Sequence, residues 1–152
     1  MKQERKKTVE TMEDVFGPVI YAYTRQQAID DGVLVDVSGM AGEAGIKYPC
    51  AVTRAVFDEY ISVPEELRSF QDEKGRLWDV LWMFSWAVRS NRMPGDTRMF
   101  QLIVQKPEGS AWLSNEEQHE GSPRQRLVTL KAVCGAGDDG KPCITIMMPH
   151  ED

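Results

Sequence analysis

The side chains best suited to chemistry in this sequence are Tyr23, Arg25, Asp36 and Arg54, with Tyr21 beside them. Tyr23-Thr24-Arg25 and Thr53-Arg54 sit where a β-rich run gives way to a helical pattern. Asp36 sits near the end of another such run. Junctions of this kind tend to share one edge of a sheet, so the four groups are expected to lie within reach of one another. Three outcomes follow from their types. Arginine and aspartate can form an ion pair. Arg25 and Arg54, each near a helix N-terminus, can hold an anion such as phosphate. With Tyr23 or His119 as acid or base, the same pocket can act on a nucleotide or a phosphodiester.

The other chemical signals are weaker. The loop Gly135-Ala-Gly-Asp-Asp-Gly140 is glycine-rich, but a strand pattern follows it rather than a helix, and two aspartates repel phosphate. Asp139-Gly140 is instead a turn dipeptide for a hairpin. Cys134, Cys143 and His150 give three donors with no C-x-x-C pair, so no metal site is expected. Neither histidine, His119 nor His150, has a serine or cysteine in an elbow motif near it. No cofactor is implied, and no catalytic residue is assigned.

The elements that must position these groups are arranged around the stretch 76–91, RLWDVLWMFSWAVRSN. At about 100° per residue, Leu77, Leu81, Phe84 and Val88 fall on one line and Trp78, Trp82 and Trp86 on another. A helix apolar on two sides is expected to be covered on two sides. The leucine line should lie on a sheet. The tryptophan line should be covered by this chain, by a partner or second copy, or by stacked bases. Asp79 and Arg89 interrupt it, and it is too short to span a bilayer.

In the N-terminal half, short strands (19–23, 33–37, 48–52) alternate with short helices (25–31, 39–44, 54–61). Thr24 with Gln27 forms a capping-box pattern, Gly32 supplies the helix stop, and Ser38 and Thr53 are further caps. After the long helix the period changes from 3.6 to 2. Strands are expected over 98–106, 127–134 and 143–148, with Phe100, Leu102, Val104, Val128, Leu130, Ala132, Ile144, Ile146 and Met148 inward. The expected fold class is α+β: a three-stranded antiparallel C-terminal meander packed on the long central helix, with short strands and helices before it. Residues 1–13 read as a flexible tail and 14–152 as one domain. The polar stretch 107–126 reads as a long mobile loop, and it displays Trp112 and Leu113.

The chain has 152 residues, formal net charge −6, three cysteines and no apolar segment after MKQERKK. An acidic chain argues against sequence-independent nucleic-acid binding. The cysteine count gives no disulfide framework, and the reading is cytoplasmic with no membrane association.

The segments YTRQQAIDDGVLVDVS, YPCAVTRAVF and LKAVCGAGDDGKPCITIMMPHED resemble a family of small uncharacterised bacterial proteins common on plasmids, phages and other mobile elements. The resemblance runs from about Val19 to Asp152. It implies a cytoplasmic accessory protein of a mobile element and transfers no catalytic residue. Together these observations favour a non-enzymatic interaction protein acting on an unknown protein partner. Trp112, Leu113, Trp78, Trp82 and Trp86 are its candidate contact residues. A phosphate- or nucleotide-directed enzyme using Arg25 and Arg54, and a structural homodimer, are the alternatives.

Overall fold

A computed structural model describes residues 23–69, 72–90 and 94–152. The tail at 1–13 and all but Tyr23 of the strand expected over 19–23 lie outside these residues.

The first helix, α1 (Arg25–Asp30), begins with the expected capping box. The Thr24 hydroxyl accepts the Gln27 amide, and the Gln27 side chain accepts the Thr24 amide. Gly32 follows at φ +80°, a conformation that any side chain would strain, and turns the chain into β1 (Leu34–Asp36). Next comes α2 (Ser38–Glu43). Ser38 lies inside this helix rather than capping it, because its hydroxyl is spent on Asp36 and the Cys50 backbone. Strand β2 (Cys50–Thr53) leads into α3 (Arg54–Val56), with the Thr53 hydroxyl accepting the Val56 amide as expected. The expected continuous helix then widens into a π-helical segment, Phe57–Ile61. That widening buries Tyr60 and Ile61 and brings Glu59 toward the sheet. A 3₁₀ turn, Glu65–Leu67, precedes the long helix α4 (Glu73–Ser90).

The remaining elements are β3 (Thr97–Gln105), β4 (Glu116–Gln118), β5 (Gln125–Ala136) and β6 (Pro142–Met147). The three long C-terminal strands lie side by side and antiparallel in the order β3-β5-β6. They do not form a self-contained meander, however. β2 joins β6 in parallel, β1 joins β2, and β4 pairs with β5, giving a six-stranded mixed sheet. The fold class is α+β. The stretch 107–126 contains β4, and its Leu113 packs on the core.

All nine inward residues expected of the three long strands are buried. Helix α4 covers this face through Val80, Leu81 and Phe84, with the Phe84 ring 5.5 Å from Phe100. Two members of the leucine line depart from expectation: Leu77 is only partly buried and Val88 is exposed. Cys134 and Cys143 do not face one another. Gly135 is opposite Cys143, and Cys134 is opposite Ile144, so a one-residue offset sends the two thiols to opposite faces. All three cysteines are free. Among the described residues no helix is long and apolar enough to cross a membrane, and no cluster of histidine, cysteine and carboxylate groups could hold a metal ion.

Candidate interaction site

The polar groups at the strand–helix junctions are each engaged locally. The Arg25 guanidinium donates to the Thr145 hydroxyl (2.6 Å) and the Ile144 carbonyl (2.7 Å), tying α1 to β6. The backbone amides of Arg25 and Gln26 donate to Asp138 in the β5–β6 loop at 2.8 and 2.9 Å. Those two bonds hold the Asp138 carboxyl below its usual range. Arg54 donates to the Gly32 carbonyl (2.9 Å) and pairs with Asp58 (3.4 Å), and its guanidinium lies over the Phe57 ring. Asp36 accepts from the Ser38 amide and hydroxyl, and Tyr23 donates to Asp31 (2.8 Å). No hydrogen bond or ion pair links Arg25, Arg54 and Asp36 to one another among the described residues. Arg25 and Asp36 share one electrostatic neighbour, the buried Cys50 thiol, and act on it in opposite directions. Burial dominates and pushes this thiol up to about 12, so at neutral pH Cys50 carries no nucleophilic thiolate.

The most developed polar cluster was not visible in the sequence. It lies between the π-helical segment, the end of β3 and β4. Lys106, with its side chain 6% exposed, pairs with Glu59 and with the fully buried Glu116 (3.0 Å). Tyr60 donates its hydroxyl to Glu116 at 2.6 Å, Asn115 donates to the Tyr60 oxygen, and Lys106 also reaches the Ala111 carbonyl. Burial and the neighbouring Glu116 raise the Tyr60 phenol well above its usual range. Trp112 lies half-buried against this cluster, with the Lys106 ammonium 5.1 Å and the Arg126 guanidinium 3.9 Å from its ring centre. Through Glu116, Asn115 and the Ala111 carbonyl the network holds the 107–126 stretch onto the π-helical segment and β3. The one sequence signal for it is Lys106 itself. It falls at an inward position of the alternating strand, where a cation requires a partner.

The largest exposed aromatic side chains lie on the tryptophan side of α4. Trp78 packs partly into the core and stacks on Trp82, with ring centres 5.7 Å apart and planes at 16°. Arg89 covers the other part of Trp82 at 5.1 Å. Even so, Trp82 is 42% exposed and Trp86 54% exposed. They face a groove of about 500 Å³ between α4 and β3, lined also by Met83, Ala87, Gln101 and Ile103. Ile103 and Met99, alternate residues on the outer face of β3, are 44% and 49% exposed. Further along, a second depression between the start of α4 and the end of β3 is polar, with Arg68, Asp72 and Asp79 in its wall. Of the five expected contact residues, Trp82 and Trp86 are therefore open, Trp78 and Trp112 are half-covered, and Leu113 packs on the core.

A family model matches residues 12–152, nearly the whole chain, and its description is a family of unknown function. The chain belongs to this family, DUF6573. No curated protein and no solved structure matches the chain. Membership of DUF6573 covers every element described above and assigns a role to none of them, so the function has to be argued from the groove and the clusters themselves.

Proposed function

We propose that this chain is a non-enzymatic interaction protein and that its working surface is the apolar groove between α4 and β3. The observation that carries this is the exposure of Trp82 and Trp86 around a groove that Ile103 also lines, with Met99 exposed on the same face of β3. Tryptophan and methionine are enriched in interface cores, and tryptophan dominates binding hot spots. Leaving four large apolar side chains in water on one part of the surface is otherwise unfavourable, at about 25 cal/mol per Å². The polar candidates give catalysis no comparable support, since Arg25, Arg54 and Asp36 are each held by local partners and Cys50 is a protonated thiol. The resemblance to mobile-element proteins supplies the proposed setting: a cytoplasmic accessory protein acting on a host or element-encoded protein.

The test is affinity capture from a bacterial extract with the wild type and a Trp82→Ser/Trp86→Ser variant in parallel. Both positions are exposed, and circular dichroism checks that the variant stays folded. The wild type is expected to retain a defined protein that the variant loses. Identical capture by both chains, or none by either from a chain that also stays monomeric, would contradict the assignment of the groove.

A further inference from the structure

The occupant of the groove follows from the hydrogen-bond polarity of β3, given the reading of that groove as an interaction surface. At one end of the β3–β5 ladder the Cys134 amide donates to the Asp96 carbonyl (2.7 Å), and at the other the Lys106 amide donates to the Arg124 carbonyl (3.0 Å). Backbone groups alternate in direction along a strand. The even-numbered residues of β3 therefore aim their N–H and C=O groups at β5, and Met99, Gln101 and Ile103 aim theirs away from it. The outward Gln105 carbonyl is taken by Arg76. No strand pairs with this edge among the described residues.

An open edge is usually protected by shortness, charge or proline. The opposite edge strand, β1, has three residues and an exposed aspartate. β3 has nine residues, TRMFQLIVQ, with one charge and no proline. It displays two apolar side chains on its outer face, Met99 and Ile103, and Ile103 shares the groove with the tryptophans of α4.

We propose that this edge pairs with a second copy of the chain, β3 against β3, antiparallel about a two-fold axis at Gln101. Such an isologous contact must be self-complementary. With the axis at Gln101, Gln101 meets its own counterpart and Met99 meets Ile103 of the second copy, while Thr97 and Gln105 lie at the ends of the pairing, where Arg76 already holds the Gln105 carbonyl. Apolar residues then face apolar ones and polar face polar, on the residues whose backbone groups are aimed across the junction. Moving the axis by one residue sets Met99 and Ile103 opposite threonine or glutamine instead. The pairing joins two six-stranded sheets into one, and the tryptophan rim of each groove stands against the second copy rather than water.

The experiment is a mass measurement by light scattering over a concentration series. The wild type is expected to approach twice its chain mass of 17.2 kDa. Like charges opposite one another in a sheet are destabilising, so Met99→Lys/Ile103→Lys is expected to weaken the dimer at least about tenfold. Met99→Lys/Ile103→Glu sets opposite charges across the same two pairs and is expected to restore it. Circular dichroism checks that both variants stay folded. A wild type that is monomeric at every concentration, a Lys/Lys variant that pairs as tightly as the wild type, or a Lys/Glu variant that stays monomeric would each overturn the proposal. If the wild type is monomeric while capture from extract still depends on Trp82 and Trp86, only the self-pairing fails. If both fail, the interaction reading fails with it.

Discussion

Lys106→Met is expected to destabilise the fold by about 3–5 kcal/mol, the usual cost of breaking a buried ion pair from one side. The methionine fills similar space, so the loss is electrostatic rather than a cavity. Without the ammonium, the Glu116 carboxylate, which is 0% exposed, keeps the Tyr60 hydroxyl but loses its cation, with Glu59 still beside it. One Glu116 oxygen, Oε2, is already buried without a hydrogen-bond partner, so the cluster has no spare donor to compensate. For a chain of this length the melting temperature should fall by about 10 °C, at roughly 2–4 °C per kcal/mol. The control is Arg124→Ala, which breaks the exposed pair with Glu108 (side chains 48% and 83% exposed) and is expected to cost at most about 1 kcal/mol. Thermal melts of the two variants side by side check this. Equal shifts would mean that the Lys106 cluster contributes no more than a surface pair.

Arg76→Met should be the next most damaging change, at about 2–4 kcal/mol. Arg76 is a buried cation in the first turns of α4. Its guanidinium donates to the Tyr60 carbonyl (3.3 Å) and, through a second nitrogen, to the Gln105 carbonyl. Tyr60 lies in the last turn of the π-helical segment, where helix carbonyls lack an intrahelical partner, and the Gln105 carbonyl is aimed away from β5, so both are left for Arg76. One forked side chain therefore joins three elements. Charge-assisted bonds contribute about 1.5–3 kcal/mol each, offset here by the desolvation that lowers the proton affinity of Arg76 itself. Arg76→Lys should recover only part of the loss, because an ammonium cannot span both acceptors in the fixed fork geometry. Urea unfolding of the three proteins reads this order; a lysine variant as stable as the wild type would contradict it.

What the sequence made legible was local. The capping box at Thr24 and Gln27, the turn at Asp139-Gly140, the alternation through Phe100, Leu102 and Val104, and the helix around Leu81 and Phe84 all rest on signals within a few residues of one another. What was not legible depends on distant pairings. Nothing near Cys50 announces that β2 will lie parallel to β6, about ninety residues later in the chain. Nothing near Arg25 announces that Asp138 will cap its helix or that Thr145 will take its guanidinium. The same holds for the site. Periodicity separated the tryptophan line from the leucine line, but whether that line is covered depends on where the helix crosses the sheet. It lies along β3, at the sheet edge, so Trp78 is partly covered while Trp82 and Trp86 remain open. The Lys106–Glu59–Glu116 cluster joins three segments through side chains, and only the inward position of Lys106 hinted at it.

The outer edge of β3, beside the groove of Trp82 and Trp86, is proposed as a binding surface. Residue-resolved amide exchange across a concentration series measures this directly. In dilute solution the inward amides of Phe100, Leu102 and Val104 are expected to be protected, and the outward amides of Met99, Gln101 and Ile103 to exchange freely. As the surface fills, the outward three should become protected as well, and the alternation should disappear. Outward amides that keep exchanging freely at every concentration, and equally in the presence of any protein captured through the tryptophans, would mean that this edge binds nothing.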